Sequence, residues 1–380
     1  MTSAIDDIKV LGQAVWYDNI SRGLIESGKL QKFIGLGVTG LTSNPTIFEK
    51  AIIDSADYDN ALLKFARDGK SSRDIYEGLT ICDIQSAADL LRPVYDVTQG
   101  VDGYASLEVN PHLAHDTQGT VEEAKRLFCA LDRPNVMIKV PATPEGIPAI
   151  RELIGEGLNV NVTLTFSLVA YSKVREAYIS GLEHLEQMGG DPASVASVAS
   201  FFVSRVDTVV DKLLETMDDD STNDLIGKAA IANAKQAYRN FELDFRGERF
   251  AALRESGARV QRPLWASTST KNPKYRDVMY VESLIGPDTV DTMPEATLMA
   301  ILDHGHADNT LQQDLLGAQE VSDSLDQAGI SMDGITDQLL EDGVKLFMDS
   351  YDSLVGNIEE KRINLLTEEG RGSNVVYEVL

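Results

Sequence analysis

The sequence predicts a single (β/α)8 barrel of the TIM type with additional helices at its C-terminal end. Three observations predict it. Short apolar segments alternate with longer amphipathic ones along most of the chain, as in βαβ units around a parallel sheet. Eight such segments follow one another with no Pro-, Gly- or Ser-rich linker, which fits one closed barrel. Several of them carry polar residues at alternate positions near their C-terminal ends, the end where barrel active sites are built. An open doubly wound sheet is the structural alternative. A half-exposed antiparallel sheet would also alternate, but the helical segments between the strands argue against it.

The candidate strands lie near 14–18, 37–42, 103–109, 135–141, 158–165, 196–203, 262–268 and 278–284. Between most of them sit helix-like stretches such as TVEEAKRLFCAL and RVDTVVDKLLETM, with apolar residues at helical spacing. After about residue 305 the pattern becomes acidic and helical, as in ITDQLLEDGVKLFMDSYDSLVGNIEEKRINLL. Residues 1–380 therefore read as one catalytic domain, with about 305–380 forming terminal helices packed on the outside of the barrel.

Composition excludes several classes. No apolar run approaches the roughly 18–20 residues that span a bilayer, so no membrane partner is expected. The N-terminus MTSAIDDIKV lacks the cationic-then-apolar order of a secretory signal. Two lone cysteines, Cys82 and Cys129, suit a reducing compartment, hence the cytoplasm, and read as buried small apolar side chains. A net charge of −26 repels polyanions and disfavours nucleic acid. A small phosphorylated substrate remains compatible, provided the site supplies its own Arg or Lys. The acidic run Asp218 to Asp220 reads as a solvated loop.

Some motifs mislead. GLGVTG, Gly35 to Gly40, matches the dinucleotide fingerprint, but a helix should open directly after the glycines. LTSNP follows instead, and Pro45 keeps Asn44 out of the α region, so these glycines read as a turn and a tight strand. The pairs His112/His115 and His304/His306 could ligate zinc in principle. Neither has helical spacing or a nearby cysteine, so no metal is assigned and these histidines read as surface residues. No G-x-S-x-G elbow and no P-loop occurs.

The alternation in the strands carries the chemistry. Val136, Ile138 and Val140 share one face, and Lys139 lies on the other with Met137. Ala105 and Leu107 alternate with Ser106 and Glu108. Asn161, Thr163 and Thr165 oppose Val160, Val162 and Leu164. Ser200 and Phe202 alternate with Ala199 and Phe201, and Trp265 and Ser267 with Leu264 and Ala266. Asp18 shares parity with Trp16. If the apolar sets face the helices, the other sets meet in one lumen. Burial disfavours the charged form of an amine, and a neutral amine can attack a ketone to give an iminium. The iminium is an electron sink, so an adjacent C–C bond can break without metal or organic cofactor. Asp18 and Glu108 would move the protons, and Thr163 could hold the water. A lysine alone on a strand would more simply snorkel or form an ion pair; its polar neighbours favour the nucleophile.

Six strings then resemble a known family in order and spacing: TGLTSNPTIFEKAI, VMIKVPATPEGIPAI, LNVNVTLTFSLVAY, VASFFVSRVD, RPLWASTSTKNPKY and YVESLIGPDTVDTMPEATL. The chain resembles the transaldolases, in particular their longer bacterial subfamily, from about residue 10 to about 300. The resemblance implies a barrel fold and transfer of a dihydroxyacetone unit between sugar phosphates. It implies Lys139 as the Schiff-base residue, Asp18 as the base at the C4 hydroxyl, and Glu108 with Thr163 working through a water. It implies that Asn44 and Asn161 bind the dihydroxyacetone hydroxyls, with Ser200 and Phe202 shaping that pocket, and that Arg205, Ser267 and Lys271 bind phosphate. Shorter members have an arginine two residues after the matching serine; here that loop reads ASTSTKN, so Lys271 stands in for it. A fructose 6-phosphate aldolase of the same fold is the alternative enzyme, and a non-catalytic binding protein the alternative class. The oligomeric state, monomer or homodimer, is left open.

Overall fold

A computed structural model describes residues 3–217 and 222–377, with side chains of the last helix described through residue 367. Asp218 to Asp220 lie outside the described residues. Eight parallel strands close into a barrel in chain order. They are β1 (Gln13–Tyr17), β2 (Gly40–Leu41), β3 (Ala105–Glu108), β4 (Val136–Pro141), β5 (Val160–Thr165), β6 (Ser197–Phe202), β7 (Arg262–Ala266) and β8 (Thr289–Met293). Helices follow the strands and bury their apolar faces against the barrel, in one continuous core.

Register turns alternation into position. Glu108 pairs with Lys139, Lys139 with Asn161, and Ser200 with Leu264. Paired residues in a parallel barrel share a side, so Glu108, Lys139 and Asn161 form one row in the lumen. Gly40 shows why β2 carries glycine: a Cβ there would sit 2.5 Å from the Trp16 indole, which fills the lumen below Asp18. The Gly35 to Gly40 run ends a helix and enters β2, and the next helix starts only at Pro45.

Four sequence expectations need correction. The segment 278–284 is not a strand: Met279–Ser283 is a short helix, and the eighth strand is Thr289–Met293. Its sequence TVDTM hides it, because an aspartate at mid-strand breaks the apolar pattern. The second concerns Trp265. Phe202 pairs with Ala266 and Phe201 with Trp265, and the Trp265 ring packs against Phe201, itself against Tyr171 of the helix Leu168–Gln187. Trp265 thus faces the helices, and Leu264 and Ala266 face the lumen. The third concerns Cys82 and Cys129, which are exposed free thiols on the outer faces of their helices. The fourth concerns the terminal helices. Leu315–Gln327 does pack outside, against Ala229–Phe245, but the last helix, Met332–Tyr377, crosses the C-terminal mouth of the barrel.

Asp291 in β8 pairs with Val15 and Trp265, on the helix-facing side, and is fully buried. Its Oδ1 accepts a 2.8 Å hydrogen bond from Thr268 Oγ1. Burial pushes its carboxyl up from 3.8 to about 8. Between these values the folded chain holds a proton that the unfolded chain releases, so this group's contribution to stability falls as pH rises through that window. Asp291→Asn removes the effect. Urea unfolding should show the variant gaining on the parent from about pH 4 to about pH 8, by at most about 1.4 kcal/mol per pH unit, then levelling. A gap that does not change with pH would show that Asp291 is not held protonated.

Candidate active site

The lumen opens at the C-terminal ends of the strands into a cavity of about 240 Å³. It is lined by Asp18, Asn44, Lys139, Thr163, Ser200, Phe202, Arg205, Ser267 and Lys271. Glu108 and Asn161 lie just behind this wall, both buried. Nine of the eleven candidate site residues therefore line one mouth, with Glu108 and Asn161 buried beside it.

Lys139 is buried, and its Nζ donates to the Ser43 carbonyl at 2.8 Å and to Glu108 Oε2 at 3.4 Å. Burial raises the Glu108 carboxyl, and the Lys139 charge offsets part of that rise. Burial likewise raises Asp18, against the hydrogen bond from Thr42 and the charges of Lys139 and Arg205. Thr42 Oγ1 donates to Asp18 Oδ1 at 2.8 Å, and it lies 2.8 Å from Thr292 Oγ1. A hydroxyl has one proton to give, so Thr292 donates to Thr42 and Thr42 to Asp18. Thr163 Oγ1 is buried with no hydrogen-bond partner among the described residues.

The amides are oriented by their neighbours. Asn44 caps the helix Pro45–Ile53, with Oδ1 accepting from the Ile47 N–H at 3.0 Å, and Pro45 at the first helical position suits that start. Its Nδ2 is left for the cavity. Asn161 Oδ1 accepts from Ser200 Oγ at 2.8 Å, and its Nδ2 donates to Ser106 Oγ at 3.1 Å. These bonds hold the amide in place and leave one Nδ2 proton to offer.

A cationic end stands opposite. Arg205 lies in the first turn of the helix Ser204–Met217, where the backbone N–H groups and helix dipole also favour an anion. Its guanidinium lies 5.2 Å from the Phe202 ring centroid and makes no ion pair among the described residues. Lys271 Nζ donates to Ser269 Oγ at 2.7 Å. Partial burial and the Arg205 charge hold Lys271 below the ordinary lysine range. Ser267 reaches the cavity by an irregular route: its φ of +58° breaks the β7 alternation.

Sequence reasoning missed the Ser43 carbonyl, Thr42, Thr292 and Phe347. Thr42 follows a strand of only two residues, too short to show a period, and Thr292 lies in the strand that Asp291 hides. Phe347 comes from the terminal helix, which no local pattern connects to the mouth. A Cβ at Gly343 would lie 2.9 Å from Leu164 Cδ2, so glycine lets the helix settle on the end of β5. One turn on, on the same helix face, the Phe347 ring enters the cavity 5.9 Å from Lys139 Nζ. The helix is held by bonds from Thr46 to Ser350, Ser353 to Glu49, and His112 to Asp352. His115 and His304 are hydrogen-bonded to surface carboxylates, and no group of three His, Cys, Asp or Glu side chains placed for a metal occurs among the described residues.

A barrel with a buried lysine between two carboxylates, and cations at the far side of the cavity, has the parts for aldol chemistry on a phosphorylated carbonyl compound. The chain belongs to the transaldolase/fructose-6-phosphate aldolase family, whose model matches residues 15–358. It is 45% identical to a transaldolase of Trichodesmium erythraeum over 95% of this chain and 98% of that protein. It is 47% identical to a transaldolase of Saccharopolyspora erythraea, covering 94% and 98%, and 46% identical to one of Thermobifida fusca, covering 95% and 99%.

Removing the Thr42 hydrogen bond raises Asp18 further, because that bond favours the carboxylate. In Thr42→Val the acid limb of the kcat/KM profile should move to higher pH, with activity on that limb down roughly tenfold and little change at high pH. An unmoved limb would mean that Asp18 ionisation does not limit turnover.

Proposed function

We propose that this chain is a transaldolase. It transfers a dihydroxyacetone unit from sedoheptulose 7-phosphate to glyceraldehyde 3-phosphate, giving erythrose 4-phosphate and fructose 6-phosphate, in the non-oxidative pentose phosphate pathway. The observation that carries this reading is Lys139 Nζ, buried within reach of Glu108 and in one cavity with Asp18, Arg205 and Lys271.

The Lys139 amine attacks C2 of the ketose and forms a carbinolamine. Glu108, whose raised pKa suits a general acid, gives a proton through a water held by Thr163, and the C2–O bond breaks with loss of water. Asp18 takes the C4 hydroxyl proton. The C3–C4 bond then breaks, its electron pair flows into the iminium, and the aldose leaves an enamine on Lys139. The second aldose accepts the C3 carbon, Asp18 returns its proton to the new hydroxyl, and water hydrolyses the iminium. Asn44 and Asn161 hold the dihydroxyacetone hydroxyls beside Ser200 and Phe202. Arg205, Ser267 and Lys271 hold the phosphate, which answers locally the repulsion of a chain with net charge −26. The residues supply each proton transfer without metal or organic cofactor. Unpaired cysteines and the absence, among the described residues, of a helix long and apolar enough to cross a membrane support a cytoplasmic enzyme.

Incubation with fructose 6-phosphate and borohydride should add one reduced dihydroxyacetone or hexose phosphate to Lys139 by mass, and none to Lys139→Ala. In a separate reaction without borohydride, fructose 6-phosphate and erythrose 4-phosphate should yield sedoheptulose 7-phosphate and glyceraldehyde 3-phosphate, unaffected by a chelator. No adduct would refute the lysine mechanism, and free dihydroxyacetone as the main product would refute transfer in favour of the aldolase.

Phe347 covers the imine position and keeps water from the enamine. Phe347→Ala should lower transfer kcat/KM on the order of tenfold and raise the share of free dihydroxyacetone. An unchanged product ratio would show that the ring has no such role.

A further inference from the structure

A second cavity, of about 460 Å³, lies at the other end of the barrel. Its wall includes four arginines, Arg246, Arg254, Arg259 and Arg262, and one carboxylate, Asp288. That balance runs against the chain, which has 60 acidic and 34 basic residues. Several arginines elsewhere have acid partners: Arg249 reaches both Glu176 and Glu183, and Arg126 and Arg133 make forked pairs with Glu77 and Asp89.

The cavity arginines differ. Arg254 donates to the Phe245 main-chain carbonyl, and Arg259 to that of Gln99 at 2.8 Å; neither makes an ion pair among the described residues. Arg262 lies 3.4 Å from Asp102 Oδ1, which already accepts the Trp16 indole N–H at 2.7 Å and the Gly103 N–H at 3.2 Å. Only Arg246 has a close partner of its own, Glu242 at 2.7 Å. A main-chain carbonyl orients a guanidinium but does not neutralise it. The guanidinium groups of Arg254 and Arg259 therefore face one concavity without an ion pair among the described residues, beside an Arg262 whose carboxylate partner is shared, and a small anion would complete the set.

We propose that this cavity is a binding site for a small phosphate-bearing anion, held by Arg254, Arg259 and Arg262. Guanidinium forks match phosphate oxygens in pairs, and the cavity is sized for a metabolite. A nucleic acid would meet the repulsion of the surrounding acidic surface. The site is separate from the mouth. Arg262 opens β7 and Ser267 follows its end, so roughly 16 Å of strand divides them at about 3.3 Å per residue. The cavity also reaches Met137, which lies two residues below Lys139 on the same strand face.

Calorimetric titration with inorganic pyrophosphate tests this without any turnover, so its outcome is independent of the transaldolase reading. The protein used is Arg205→Ala/Lys271→Ala, which lacks the cations of the mouth. It should bind one pyrophosphate per chain. Adding Arg254→Gln and Arg259→Gln should weaken binding by about tenfold or more, with circular dichroism and thermal midpoint unchanged. Should the fourfold variant fail to fold, crystals of the unaltered protein soaked in pyrophosphate decide, with density expected against Arg259. No binding to the Arg205→Ala/Lys271→Ala protein, an affinity unchanged in the folded fourfold variant, or density confined to the mouth would overturn the proposal.

Discussion

Lys139 Nζ hangs in the barrel lumen between a main-chain carbonyl at 2.8 Å and a buried carboxylate at 3.4 Å. Placing an amine and two carboxylates out of water is unfavourable unless each is met by a partner. The rest of the mouth follows from that constraint. Ser43 turns its carbonyl to the amine while its own hydroxyl is spent on the Ser106 carbonyl. Thr292 and Thr42 form a short relay onto Asp18. Asn161 is braced from both sides by Ser106 and Ser200. Thr163 Oγ1 has no such partner among the described residues.

Closure of the mouth comes from a distant part of the chain. The helix Met332–Tyr377 rests on the end of β5 through Gly343 and lowers Phe347 toward the amine. A lysine imine and its enamine need a site with little free water, and a barrel mouth built only from loops leaves that open. Charge is arranged locally: in a chain of net charge −26, Arg205 and Lys271 line the concavity at one end of the barrel, and Arg254 and Arg259 line another at the opposite end.

Most of this site was legible as a period of two. Lys139, Glu108, Asn161 and Ser200 lie on regular strands, where parity alone separates lumen from helix layer; Thr163 stands at the register shift of β5, past which parity reverses and Thr165 pairs with Phe201 on the helix side. Parity failed where the backbone leaves the strand. Ser267 enters the mouth by a left-handed φ, so counting back from it put Trp265 on the wrong face. It failed again at β8, where a buried aspartate at mid-strand makes a strand look like a loop and the apolar stretch before it look like the strand. Asn44, Arg205 and Lys271 lie beyond the strands, and there the ordered motifs, not the pattern, led to them. Phe347 had no signal: an aromatic at helical spacing in an amphipathic helix reads as core, and only the path of that helix across the mouth makes it part of the site. The cysteines show the reverse error, small apolar residues that face solvent.

The central claim is geometric: one amine, two carboxylates and a phosphate-binding end must grip the same molecule at once. A crystal structure of the protein reduced with borohydride in the presence of fructose 6-phosphate tests it most directly. The account predicts continuous density from Lys139 Nζ to C2 of the sugar, the C4 hydroxyl against Asp18, the phosphate between Arg205 and Lys271, and the Phe347 ring over the modified amine. A sugar joined to another lysine, or a phosphate lying away from Arg205 and Lys271, would contradict it.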